Sequence, residues 1–202
     1  MTDQKQRIEQ LRQESRQIKQ DLAQAQMLIY EAENHYDAAS SLRENQQWDE
    51  AMKRYVESTQ TYLQAEQLLQ KYVIPLDDTH PKEILDQRAH AHSQIPSVRE
   101  ARQKAESFAA QLRRIKEAEE SIKEAQTHLT KSSGYSTAVR LAEDALEQLA
   151  GIEMSAGRLV RKAQQIKDEV NLRQRKQYQM IAIIGIILIL IVMGILFVSL
   201  FR

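Results

Sequence analysis

Five histidines, His35, His80, His90, His92 and His128, are the side chains best suited to proton transfer or metal ligation in this 202-residue chain. His90 and His92 flank Ala91, Asp86 stands one helical turn before His90, and Asp77, Asp78 and His80 precede them. On a helix Asp86 and His90 share a face, and with His80 they are the nearest approach to a divalent-cation site. Their spacing fits no known ligand signature, and His90 and His92 diverge on a helix, so no metal site is expected. No Glu stands three residues before a His, the pairing that a di-iron helical bundle uses. Cysteine is absent, which removes disulfides, thiolate ligands and thiol nucleophiles. Neither a phosphate-cradling glycine loop, a nucleophile elbow nor an HExxH run occurs. The carboxylates scatter among lysines and arginines, as Glu117 and Glu120 do beside Lys116 and Lys123. No enzymatic activity and no cofactor are expected.

Charge patterning is more informative. The formal net charge is zero, but residues 1–157 carry 20 Lys and Arg against 26 Asp and Glu. Residues 158–179 reverse the balance, with Arg158, Arg161, Lys162, Lys167, Arg173, Arg175 and Lys176 against Asp168 and Glu169. An acidic distal part with its aromatics on helical seams argues against nucleic-acid binding. The basic stretch leads into Met180–Phe201, 22 consecutive uncharged residues of which 16 are Ile, Leu, Val or Phe. As a helix the run would reach roughly 33 Å, against a hydrocarbon core of about 30 Å. A single transmembrane helix is therefore expected over 180–201. The cations before it predict a cytoplasmic N-terminal side and form a lipid-facing basic neck. The N-terminus, MTDQKQRIEQ, has no apolar stretch, so a tail-anchored topology without a signal peptide is expected. Gly185 and Gly194 have no small residue four positions away, which predicts a weakly self-associating span.

Long helices must position everything else, since five glycines and three prolines leave few places to turn. Apolar or small residues alternate at steps of three and four from Ile8 to Ala39, which predicts a helix from about Asp3 to Arg43. Glu44–Gln47 offers a turn. A second seam through Trp48, Ala51, Tyr55, Ser58, Tyr62, Ala65, Leu69 and Tyr72 predicts a helix to about Val73. The prolines at 75, 81 and 96 mark residues 74–96 as a linker with a short helix, Lys82 to His92. A third long helix is expected from Ser97 to Lys131, and Gly134 suits a left-handed position after it. A fourth starts near Tyr135 and runs toward the membrane, with Gly151 and Gly157 as places to bend. The expected fold is all-α: a helical hairpin over 1–73, the linker, a second hairpin and neck over 97–179, and the span.

A shift of 87 residues superposes the two hairpins, placing Ala38 on Ala125, Leu42 on Leu129, Trp48 on Tyr135, Ala51 on Ala138 and Tyr62 on Leu149. The first tip, Ala32 to Ser58, reads AENHYDAASSLRENQQWDEAMKRYVES. This stretch resembles the tetratricopeptide repeat, with Ala39 at the family's usual glycine position and Trp48, Asp49, Glu50, Ala51, Tyr55 and Ser58 on the second helix. The second half keeps only Gly134, Tyr135 and Ala138 of that pattern, and the 34-residue period is missing. The resemblance implies close hairpin packing, with Ala39 at the closest approach, Trp48 and Tyr55 closing over it and Ala51 facing the first helix. It also implies a protein-binding role. The overall plan is similar to that of tail-anchored helical adaptors. The expected partners are the lipid bilayer and proteins, with homo-oligomerisation through residues 1–176 open. A SNARE-like coiled-coil tether and a small subunit of a membrane complex are the alternative readings.

Overall fold

The computed structural model describes residues 2–73, 80–130, 134–152 and 156–200, with side chains described from Gln4 as far as Leu188. Among these residues the chain is all-α. Its helices are α1 (Thr2–Glu44), α2 (Trp48–Gln70), α3 (Lys82–Leu129), α4 (Tyr135–Leu149) and α5 (Gly157–Leu200). The linker residues Ile74, Pro75, Asp77, Asp78 and Thr79, the serines 132 and 133, and the last residues, Phe201 and Arg202, lie outside the described residues. The chain divides into two compact units, Met1–Arg113 and Arg114–Arg202, with the boundary inside α3.

In the first unit α1 and α2 form the expected hairpin, and the turn follows from its polar residues. The Gln47 amide donates to the Leu42 carbonyl at 2.9 Å and the Gln46 amide to that of Arg43 at 3.0 Å. These are the two bonds that close a helix through a left-handed residue, and Gln46 takes that position at φ 60°. The seam is filled largely by alanine, so the two backbones come close. Ser58 Oγ donates 2.8 Å to the backbone carbonyl of Ala32, a bond available only when small residues line both helices.

A hairpin alone would leave one side of this seam wet, and the first part of α3 covers it. Ala25 and Ala32 from α1, Tyr62, Ala65 and Leu69 from α2, and Ala91, Ile95 and Val98 from α3 make one buried cluster. The short helix and restart expected between 82 and 97 are replaced by a continuous helix with Pro96 inside it. Pro96 costs the hydrogen bond that its missing N–H would give to the His92 carbonyl. Two features offset the loss. The proline is exposed, while Ile84, Ala91, Ile95, Val98 and Ala105 are all buried, so the apolar stripe passes through it unbroken. At about 1.5–3 kcal/mol per buried large aliphatic side chain, that stripe outweighs a defect of about 3 kcal/mol.

In the second unit the end of α3 packs with α4 and α5 through Ile115, Ile122, Leu129, Ala138, Ala142, Leu149, Ile166 and Val170, all buried. Two arginines tie off helix ends: Arg114 donates 2.9 Å to the Ala150 carbonyl after α4, and Arg173 3.2 Å to the Leu129 carbonyl at the end of α3. Here too a hairpin is completed by a third helix. The fourth helix does not run on to the C-terminal segment but stops at Leu149, and Gly151 takes φ +72°, a conformation that side chains disfavour. Gly134 corrects another expectation. Its φ of −101° is not left-handed and it caps the start of α4. A Cβ there would meet the His128 carbonyl oxygen at 2.6 Å, so close approach is what requires glycine.

The 87-residue shift maps the buried positions of α2 onto those of α4. Ala51, Tyr55, Ser58 and Tyr62 fall on Ala138, Ala142, Ala145 and Leu149, and all eight are buried.

Candidate functional site

The hairpin tip singled out in the sequence is well packed. Ala39, Ala51 and Tyr55 are completely buried, so the small residues sit where α1 and α2 meet. Tyr55 hydroxyl and Ser40 Oγ lie 3.0 Å apart. Its ring stacks on Phe108 from α3 (5.4 Å between centroids) and meets Tyr36 edge-on at 5.3 Å. Arg43 lies over Phe108 at 5.0 Å and Lys104 over Tyr36 at 5.5 Å, so two cations cover this aromatic group. Burial pushes the Tyr55 phenol up, against the opposing pull of Ser40. Tyr62, deeper along the same seam, is pushed up to about 12 by burial and by the charges of Glu33 and Asp37. Trp48 opens α2, as expected, and is half-buried, while the ring contacts of the tip run through Tyr36, Tyr55 and Phe108.

Two buried carboxylates went unmarked in the sequence, and both are held by built networks. Asp21, 6% exposed, accepts from Tyr72 Oη at 2.7 Å, Gln17 Nε2 at 2.8 Å and Lys71 Nζ at 3.3 Å. Burial alone would raise its pKa, but the three hydrogen bonds and the Lys71 charge prevail and lower it. Glu66, 3% exposed, accepts from Arg99 Nε at 2.9 Å and Arg102 Nε at 3.1 Å. These anchors join α2 to α1 and to α3. A signal was present: Ile18, Asp21 and Ala25 keep the three-then-four step of the seam, as Tyr62, Glu66 and Leu69 keep four-then-three. A carboxylate on a seam must be paired, and cations at 71, 99 and 102 were available.

The basic neck lies along α5, and its cations fall into two groups. Lys167 Nζ pairs with Glu143 at 2.8 Å and Arg173 pairs with Glu169 besides capping α3, so both serve the second unit. Arg161 Nε donates 3.2 Å to the Gly157 carbonyl. Arg158, Arg175 and Lys176 are exposed and Lys162 is half-buried. Lys167 is also 13 residues before Met180, about 20 Å along a helix, well short of the apolar run. Arg175 and Lys176 are the exposed cations nearest Met180.

Histidines and carboxylates form no group of three that could hold a metal ion among the described residues. His90 Nε2 lies 3.0 Å from Gln94 Nε2, and His35 Nδ1 lies 3.4 Å from a Glu57 carboxylate oxygen. Among the described residues no helix is long and apolar enough to cross a membrane. The described side chains include only Met180 to Leu188 of the apolar run, and its remainder lies outside them. Of those nine residues, Met180, Ile181, Ile183, Ile184, Ile186, Ile187 and Leu188 are all at least half exposed. No family model, no curated protein and no solved structure matches the chain.

Proposed function

We propose that the chain is a non-enzymatic, membrane-anchored adaptor whose C-terminal apolar helix spans the bilayer and whose helical units present a protein-binding surface to the cytoplasm. One observation carries this reading: α5 continues without a break to Leu200, through 21 of the run's 22 uncharged residues, and its described aliphatic side chains are exposed on every face. Seven such side chains left in water forgo roughly 1.5–3 kcal/mol each, and a lipid environment recovers that loss. Arg175 and Lys176 precede the run, where cations favour the cytoplasmic side. The tip at Ala32–Ser58 supports the adaptor half of the reading through its tetratricopeptide-like pattern, with small residues and Tyr55 at the helix contact.

The tether alternative needs a seam free to pair with another membrane's helices. Ala163, Ile166 and Val170 of α5 are instead buried in the second unit, which favours the adaptor. Alkaline extraction of membranes separates anchored from peripheral chains. The full chain is expected in the pellet and a chain ending at Gln179 in the supernatant. Full release of the intact chain would contradict the anchor.

A further inference from the structure

Three tyrosines follow the seam of α2, and two of them have hydroxyl partners. Tyr55 Oη lies 3.0 Å from Ser40 Oγ, and Tyr72 Oη donates 2.7 Å to Asp21. Tyr62, 4% exposed, has no hydrogen-bond partner for its hydroxyl among the described residues. An enclosed phenol left so costs about 1–3 kcal/mol, and this one lines a cavity of about 420 Å³ between α1 and α3.

The other residues around the cavity set the chemistry of what fits it. Glu33 is the one ionised side chain of the lining, which holds no lysine, arginine or histidine. It is exposed and enters no ion pair among the described residues. Burial, then the charges of Glu33 and Asp37, raise the Tyr62 phenol, so the potential at its hydroxyl is negative. Tyr30, 66% exposed, adds an aromatic ring, and Ile29, Val98 and Ala101 add apolar lining. Glu33 opposes an anion, and a lining with one carboxylate is a poor cage for a divalent cation. A neutral donor would use the hydroxyl and leave Glu33 aside. A primary ammonium on an alkyl stem uses every part: N–H donors for Glu33 and the phenol oxygen, a charge beside the ring, and methylenes against the apolar residues.

We propose that this cavity binds a primary alkylammonium group, with Glu33 as its counter-ion, Tyr62 Oη as a second acceptor and the Tyr30 ring beside the charge. A free amine and a lysine side chain of another protein carry the same group, and the test separates them. The site is built within the first unit, so it stands or falls apart from the membrane anchor.

The full-length chain in nonionic detergent, with ¹³C-labelled tyrosine rings, is titrated at neutral pH with n-butylammonium. Saturable shifts of the Tyr62 and Tyr30 resonances are expected, and n-butanol, which lacks the charge, is expected to give none. Glu33→Gln, at an exposed position, should weaken binding about fivefold or more. Tyr62→Phe should weaken it about threefold without lowering the Tm, because its hydroxyl has no partner within the fold. Titration with Nα-acetyl-lysine amide then separates the sources: tighter binding than n-butylammonium assigns the site to a lysine side chain, and weaker binding assigns it to a free amine. No saturable shift with either cation, an equal response to n-butanol, unchanged affinity in Glu33→Gln, or a lowered Tm in Tyr62→Phe would each overturn the proposal.

Discussion

Asp21 joins Gln17 of its own helix to Lys71 and Tyr72 in the turn after α2 through one carboxylate, and its behaviour with pH follows from them. Its folded-state pKa lies below the ordinary value of about 3.9, because the bonds from Tyr72, Gln17 and Lys71 outweigh the cost of burial. A depressed carboxyl stabilises the fold above its unfolded pKa and loses that contribution as the pH falls through the folded one. Stability is therefore expected to be flat down to about pH 5 and to decline below about pH 4. Asp21→Asn keeps the shape but removes the charge, and should cost about 1–3 kcal/mol near neutral pH and much less at pH 3, read from denaturant midpoints. The hairpin tip gives a second contrast. Ala51 is completely buried between helices, so Ala51→Leu should overpack the contact by about 1–3 kcal/mol. Trp48 is half-buried, so Trp48→Ala should cost less than the roughly 3–5 kcal/mol of a fully enclosed aromatic. Thermal melts of the two variants compare these effects, and a larger loss at Trp48 would contradict the packing described.

At the scale of the helices, periodicity carried most of the reading and failed where two signals competed. The bounds of α1 and the starts of α2 and α4 were legible because a polar or glycine-containing turn coincides with a break in the seam. Pro96 was read as a break because proline disfavours helix in general. The seam through Ala91, Ile95 and Val98 says otherwise, and burial prevails over a local propensity. The third helix of each unit was missed for the same reason: hairpins were read from turns, and the covering helix begins in a linker or continues from a neighbouring unit. Asp21 and Glu66 escaped because a carboxylate on a seam looks like a flaw until its cationic partners are placed in space. Pro96→Ala restores a backbone donor inside α3 without touching the buried stripe. It should stabilise the chain by about 1–3 kcal/mol, raising the midpoint of chemical unfolding, and a loss would show that the break serves the packing.

For the whole molecule, the two units are built alike, each from a hairpin completed by a third helix, and the last helix carries the apolar run. In the proposed function, α5 links the buried Ile166 and Val170 to the exposed isoleucines at 181–187 within one continuous helix. The net-acidic residues 1–157 and the basic residues near Met180 then face the same compartment, and the adaptor surface is presented there. Protease added to sealed vesicles whose cytoplasmic face points outward tests that arrangement most directly. The account predicts that residues 1–170 are degraded while a fragment of about 3 kDa holding Met180–Arg202 is protected. Protection of residues 1–170, or complete digestion of the whole chain, would contradict it.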